Sequence, residues 1–197
     1  MIKIIDYKAG NAPSVMHAVR RLGHTAEFAR SPADLAGATH IILPGVGSAR
    51  ATMDSLGGMG IIPALETAVK EKKTPFLGIC VGLQILFEHS EEDDADCLGW
   101  LRGNVVKFDA AKTRVPQMGW NLVKFNENPL CGITEDHFYF VNSYCAEPAD
   151  EADIWGVSEY GRAFTAAVRR GNIHAAQFHV EKSGEAGLEL LNGFLNL

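Results

Sequence analysis

The chain has 197 residues, 47% hydrophobic and 21% charged, enough to fill one ordinary core and to solvate its surface, which excludes disordered and low-complexity classes. Its formal charge of −6 argues against sequence-independent nucleic-acid binding, which needs clustered Lys and Arg. No apolar run approaches the roughly 18 residues that span a bilayer, and the amino terminus reaches Asp6 too soon for a signal peptide, so a cytosolic chain is expected.

Residues 2–5 form an apolar run that predicts a first strand. Asn11 can cap a helix with Pro13 in its first turn; Val15, Ala18, Val19 and Leu22 then recur at helical spacing up to Gly23. Residues 25–28 read as a weak strand and 39–43 as a strong one, ended by Pro44-Gly45-Val46-Gly47. A helix is predicted over 61–69, a buried strand over 76–79 and a helix over 81–88. Continuous apolar strands joined by helices indicate a parallel sheet covered on both faces. After residue 90 the rhythm changes. The acidic run Glu91-Glu92-Asp93-Asp94 reads as a solvated loop. A meander follows, with strands at 105–108, 122–125, 138–142, 154–158, 163–168 and 174–178, and a last helix over 185–195. No linker divides the chain, so one domain over residues 1–197 is expected. The class is α/β, with an open, mixed, largely parallel twisted sheet and helices on both faces.

The strongest chemical signal is Gly78-Ile79-Cys80-Val81-Gly82, between a predicted strand and a predicted helix. A nucleophile on such a turn projects above the sheet, and flanking glycines allow strand and helix to approach closely. Unpaired N–H groups at the helix start favour a thiolate. A cysteine nucleophile needs a base, and the base needs an orienting group. His179-Val180-Glu181 supplies both: in an extended stretch, residues two apart face the same side. His174, five residues before His179, falls on the opposite face. The Gly-rich loop at 44–47 reads equally as a plain strand end or as half of an oxyanion hole facing the N–H of Val81. It lacks both the dinucleotide fingerprint and a phosphate-loop lysine. Cys97, Cys131 and Cys145 form no C-x-x-C pair and are assigned no role; all four cysteines are expected as free thiols.

These segments together resemble the class I (triad) glutamine amidotransferases, whose fold is flavodoxin-like. Ile5-Asp6-Tyr7, Gly10-Asn11, Leu43-Pro44-Gly45-Val46-Gly47, Gly78–Gln84 and Gln177–Ser183 carry the likeness. Pro116-Gln117-Met118-Gly119-Trp120-Asn121 brings it closest to the glutaminase subunits of imidazole glycerol phosphate synthases. The pyridoxal phosphate and anthranilate branches share the elbow but not these segments. The resemblance implies Cys80, His179 and Glu181 as the triad, with oxyanion donors among Gly45, Val46, Gly47 and Val81. It implies glutamine contacts at Gln84, Asn142, Ser143 and Tyr144. It also implies a cyclase partner fed with ammonia across an interface holding Asn11, Trp120, Asn121 and Lys182. Neither cofactor nor metal is called for.

Three positions depart from the family pattern. Lys8 replaces a glycine and is expected to alter affinity for the partner or coupling to it, rather than the chemistry. Gln117 replaces a histidine. Val180 replaces a proline, which frees φ between the two triad residues and predicts looser alignment of His179 and Glu181. A chain that keeps the fold and has lost turnover is the rival reading.

Overall fold

The computed structural model describes residues 1–8 and 11–197; Gly10 of the amino-terminal signature lies outside the described residues. The elements are, in chain order, β1 (Ile2–Ile5), α1 (Ala12–Arg21), β2 (Ala26–Ala29), β3 (His40–Gly45), α2 (Ala49–Gly58), α3 (Ile62–Glu66), β4 (Phe76–Cys80) and α4 (Val81–Gln84). Then come β5 (His89–Ser90), β6 (Ala95–Asp96), β7 (Gly103–Lys107), β8 (Gln117–Phe125), β9 (Glu135–Asn142), β10 (Tyr144–Pro148), β11 (Ile154–Glu159), β12 (Ala163–Arg170), β13 (Ile173–Ala176) and α5 (Gly184–Leu195).

The strands join one mixed sheet in the order β2-β1-β3-β4-β13-β12-β10-β7-β5-β6, with β11, β8 and β9 branching from β12. The first five run parallel, and β12, β10 and β7 pair antiparallel. The step from β1 to β2 goes one way along the sheet and the step from β3 to β4 goes the other. Right-handed crossovers therefore put α1 on one face and α2 with α3 on the opposite one; α5 packs against α1. Covered on both sides, the central parallel strands are largely apolar: Ile4, Ile5, Ile41, Ile42, Leu43, Phe76 and Leu77 are fully buried. The same core continues under the antiparallel half as an aromatic cluster, where the Phe138 and Phe178 rings are 4.2 Å apart. Among the described residues no helix is long and apolar enough to cross a membrane.

Some boundaries depart from the expectation for visible reasons. The helix predicted over 81–88 is a single turn, α4. The carbonyls of Ile85, Leu86 and Phe87 accept from the N–H groups of Leu98, Leu101 and Gly99, which pulls the chain out of the helix. The helix predicted over 61–69 is α3 followed by a π-turn at Thr67–Glu71, whose carbonyl at Val69 accepts from the Asn172 amide. Helix α2 and strands β5, β6 and β10 are not anticipated from the sequence. The register matters most for the site. Gly45 pairs with Cys80 and Ala176 with Ile79, so the carboxyl ends of β3, β4 and β13 lie together.

Candidate active site

Cys80 ends β4 and precedes α4 with φ 55° and ψ −108°, a left-handed backbone that costs a non-glycine residue about 1–3 kcal/mol. The surrounding contacts enforce it. A Cβ at Gly78 would lie 2.4 Å from the Gly82 carbonyl oxygen, and one at Gly82 would lie 2.1 Å from the Leu43 oxygen. A Cβ at Gly45 would lie 2.7 Å from that of Val81. These three glycines let β3, the elbow and α4 approach backbone to backbone. Val46, Gly47 and Val81 line one cleft with the Cys80 sulfur, so the four residues assigned to the oxyanion stand together around it. The positive potential expected from a long helix is reduced to the local N–H groups of a single turn.

His179 and Glu181 meet by a route other than the extended strand expected from spacing. Strand β13 stops at Ala176, His179 is extended, and Val180–Lys182 forms a 3₁₀ turn. The N–H of Lys182 donates to the His179 carbonyl and that of Ser183 to the Val180 carbonyl. The Ser183 hydroxyl donates to the His179 carbonyl at 2.6 Å and accepts from the Tyr139 N–H at 3.0 Å, tying the turn to β9. In this turn His179 Nδ1 and Glu181 Oε1 are 2.9 Å apart, with both side chains almost fully buried. The looser alignment predicted at Val180 is not seen; Val180 is itself fully buried. Burial pulls the His179 imidazole down, but the neighbouring Cys80 sulfur and Glu181 carboxylate outweigh it and raise the pKa to about 9.

Asn11 lies at the amino end of α1 but does not cap it. Its amide Nδ2 donates to Glu181 Oε1 at 3.1 Å, and its Oδ1 accepts from the Ser14 hydroxyl at 2.8 Å. The residue assigned from resemblance to a partner interface thus shares with His179 the same oxygen of Glu181. The other oxygen, Glu181 Oε2, is buried without a protein partner among the described residues. His174 lies away from the site, as its offset predicts. It packs edge-on against Trp155 and Phe194, and burial lowers its pKa to about 4.

The cleft has a volume of about 350 Å³ and is lined on its far side by Gln84, Asn142, Ser143 and Tyr144. The Tyr144 carbonyl is a hub that accepts from Gln84 Nε2 at 3.3 Å and Asn142 Nδ2 at 2.9 Å. Gln84 Nε2 also donates to Gln177 Oε1 at 3.1 Å, which leaves Gln84 Oε1 as its atom for a ligand. Glu92, from the acidic run read as a solvated loop, also lines the cleft. Its Oε2 accepts from the Ala49 N–H at 3.1 Å, and burial raises its pKa against that bond. Nothing in the chain near Glu92 signals this placement. Gln177 was equally missed, although its spacing of two from His179 could have signalled it.

Of the remaining assigned residues only Lys182 lines the cleft. Lys182 is exposed on the cleft's rim. Trp120 and Met118 alternate outward on β8, 56% and 67% exposed, the Trp120 ring standing edge-on to Tyr139. Asn121 donates to the Glu159 carbonyl at 2.8 Å and so braces β8 against the end of β11. Lys8 is exposed with φ 69°, a backbone suited to the glycine it replaces. Gln117 is buried opposite Asn142, and neither atom of its amide has a protein partner among the described residues. All four cysteines are free. Burial pushes the Cys97 and Cys145 thiols up to about 11 and raises that of Cys131, which keeps them protonated.

Comparison with known proteins gives one consistent answer. The family of class-I glutamine amidotransferases matches residues 3–196. A Thiobacillus denitrificans protein named imidazole glycerol phosphate synthase subunit HisH is 44% identical, over 98% of this chain and 90% of that one. A Methanococcus maripaludis HisH is 41% identical over 99% and 98%. The chloroplastic hisHF of Arabidopsis thaliana is 43% identical, but this chain spans only 34% of its length. In structure, a crystallised glutamine amidotransferase superposes with a TM-score of 0.81 at 21% identity, covering 99% of this chain and 97% of that one.

Proposed function

The chain belongs to the class-I glutamine amidotransferases, and from that membership we propose that it is the glutaminase subunit of an imidazole glycerol phosphate synthase. It hydrolyses glutamine to glutamate and passes the ammonia to a cyclase subunit. There the ammonia serves the formation of imidazole glycerol phosphate and aminoimidazole carboxamide ribotide in histidine biosynthesis. The protein works in the cytoplasm, where free thiols persist.

The observation that carries this reading is the strained Cys80 elbow facing the His179–Glu181 pair across one cleft. The Cys80 thiolate attacks the carboxamide carbon of glutamine. The oxygen that gains charge is held by the N–H of Val81 and one from Gly45, Val46 or Gly47. Protonated His179 gives its proton to the departing ammonia, which leaves a glutamyl thioester. His179 then takes a proton from water as that water attacks the thioester, releasing glutamate and the thiolate. Glu181 keeps the imidazole in position, and Asn11 keeps Glu181. Gln84 Oε1 and the Glu92 carboxylate are two acceptors suited to the α-ammonium of glutamine, which would draw Glu92 back towards its charged form.

The cyclase docks over the exposed Met118 and Trp120. The Trp120 ring edge comes within 3.7 Å of where a Cβ on Gly184 would sit, beside the turn that bears Glu181. A glutamine analogue carrying an electrophile tests the assignment of the nucleophile. The expected result is one covalent adduct on Cys80, blocked by excess glutamine and absent in Cys80→Ala. Labelling of Cys97 or Cys131 instead, or labelling that glutamine does not slow, would refute it.

A further inference from the structure

Gln177 is wholly buried and does not line the cleft, yet its Nε2 lies 3.6 Å from the Cys80 sulfur. We propose that Gln177 is a further catalytic residue, donating a hydrogen bond to the Cys80 thiolate from behind, and that Gln84 is the positioning residue that orients its amide. The proposal rests on Cys80 being the nucleophile of the proposed function.

The local sequence places the donor. Pairing of Ala176 with Ile79 puts Gln177 beside Cys80 at the carboxyl ends of β13 and β4. The Gln177 N–H donates to the Ala166 carbonyl at 2.8 Å, which keeps the backbone in the sheet for one residue beyond β13. Alternation then sends Gln177 and His179 to the side of the site and Phe178 into the aromatic core.

The amide has a defined orientation because its neighbour dictates it. Gln84 Nε2 donates to both the Tyr144 carbonyl and Gln177 Oε1, so the atom of Gln177 facing Gln84 must be the acceptor. The N–H₂ end is left for the sulfur. A neutral thiol can donate to the Val141 carbonyl, 3.9 Å away. A thiolate cannot, and it becomes an acceptor for Gln177. A fully buried donor already aimed at the sulfur needs no reorientation when negative charge appears there. The same relay ends at Gln84, which lines the cleft, so an occupied cleft and a poised sulfur share one chain of hydrogen bonds.

The test reads the sulfur without glutamine. Iodoacetamide is attacked by the thiolate, which forms an S–CH₂ bond and releases iodide; the rate is followed on the Cys80 peptide by mass spectrometry as pH is varied. In Gln177→Met the midpoint of the alkylation profile is expected to rise by about one pH unit, the equivalent of a tenfold loss of thiolate near neutrality. The kcat for glutamine should fall about tenfold with KM within about twofold, a split that general loosening of the fold would not produce. Gln177→Glu retains an oxygen for the Gln84 amide but puts a carboxylate beside the sulfur, and should raise the midpoint further. It gives the same reading should Gln177→Met fail to fold. An unchanged midpoint in either folded variant overturns the proposal. A wild-type chain that alkylates with the expected contrast to its variants but releases no ammonia would count against the glutaminase reading and leave this inference standing.

Discussion

Replacing His179 by alanine should lower kcat for glutamine hydrolysis by about 10³-fold or more, with the protein still folded. On the proposed mechanism the imidazole does two things: it gives a proton to ammonia and takes one from water. Among the described residues the other titratable groups lining the cleft are poor substitutes: Glu92 hydrogen-bonds the Ala49 N–H at the start of α2, Lys182 sits on the rim, and burial raises the Tyr144 phenol, which keeps it protonated. The wild-type pH profile follows from the same residue. On the proposed mechanism the imidazolium must be present when ammonia leaves, so kcat/KM, which reports the free enzyme, should decline above about pH 9, where His179 deprotonates. The linked effect on stability has a fixed sign. The folded pKa lies above the ordinary value of 6.5, so this group stabilises the fold fully below pH 6.5 and loses that contribution as pH rises through about 9. His179→Ala should flatten that part of the stability curve, which urea titrations between pH 6 and 10 would measure. An alanine variant within tenfold of wild type would show that another group carries the proton.

Gly82→Ala should be nearly as damaging, for a steric reason. The added Cβ would meet the Leu43 carbonyl oxygen at 2.1 Å, and a backbone carbonyl in β3 has nowhere to go. The elbow must then shift away from β3, separating Val81 from Gly45, Val46 and Gly47. A displacement near 1 Å at reacting atoms is worth about 10²-fold in rate, and overpacking at this contact should destabilise the fold by about 1–3 kcal/mol. Gly57→Ala is the matched control. It lies in α2 with open space around it, and alanine there should add up to about 1 kcal/mol while activity stays the same. If Gly82→Ala kept wild-type turnover, the close approach of the elbow and the β3 loop would not be what positions the oxyanion donors.

What could be read from the chain and what could not divides along sequence separation. Gly78, Cys80 and Gly82 are neighbours, and an apolar strand leads into them, so the elbow is visible to local reasoning. His179 and Glu181 are two residues apart and were paired correctly for proximity. Their geometry comes from a turn that Ser183 ties to β9, which spacing alone does not disclose. The contact between Asn11 and Glu181 spans 170 positions, and local patterns carry no information at that range. Asn11 looks like a helix cap, and only the fold reveals that its amide is used elsewhere. Glu92 illustrates the opposite error. A run of four acids reads as solvent-facing, yet Asp93 and Asp94 both take positive φ, and the loop they shape turns Glu92 inward onto the Ala49 N–H. Helix α2 escaped notice because Ala49–Gly58 buries only Ala49, Thr52 and Leu56 along a polar, glycine-ended stretch.

Ammonia release from glutamine tests the central claim most directly. It is measured for the purified chain alone, with the cyclase subunit, and with that subunit carrying its ribonucleotide ligand, each beside Cys80→Ala. The predicted result is release that depends on Cys80 and increases when the liganded cyclase is bound. Complex formation with no release in any of the three conditions would contradict it, and would make this chain a binding subunit that has kept the triad without its turnover.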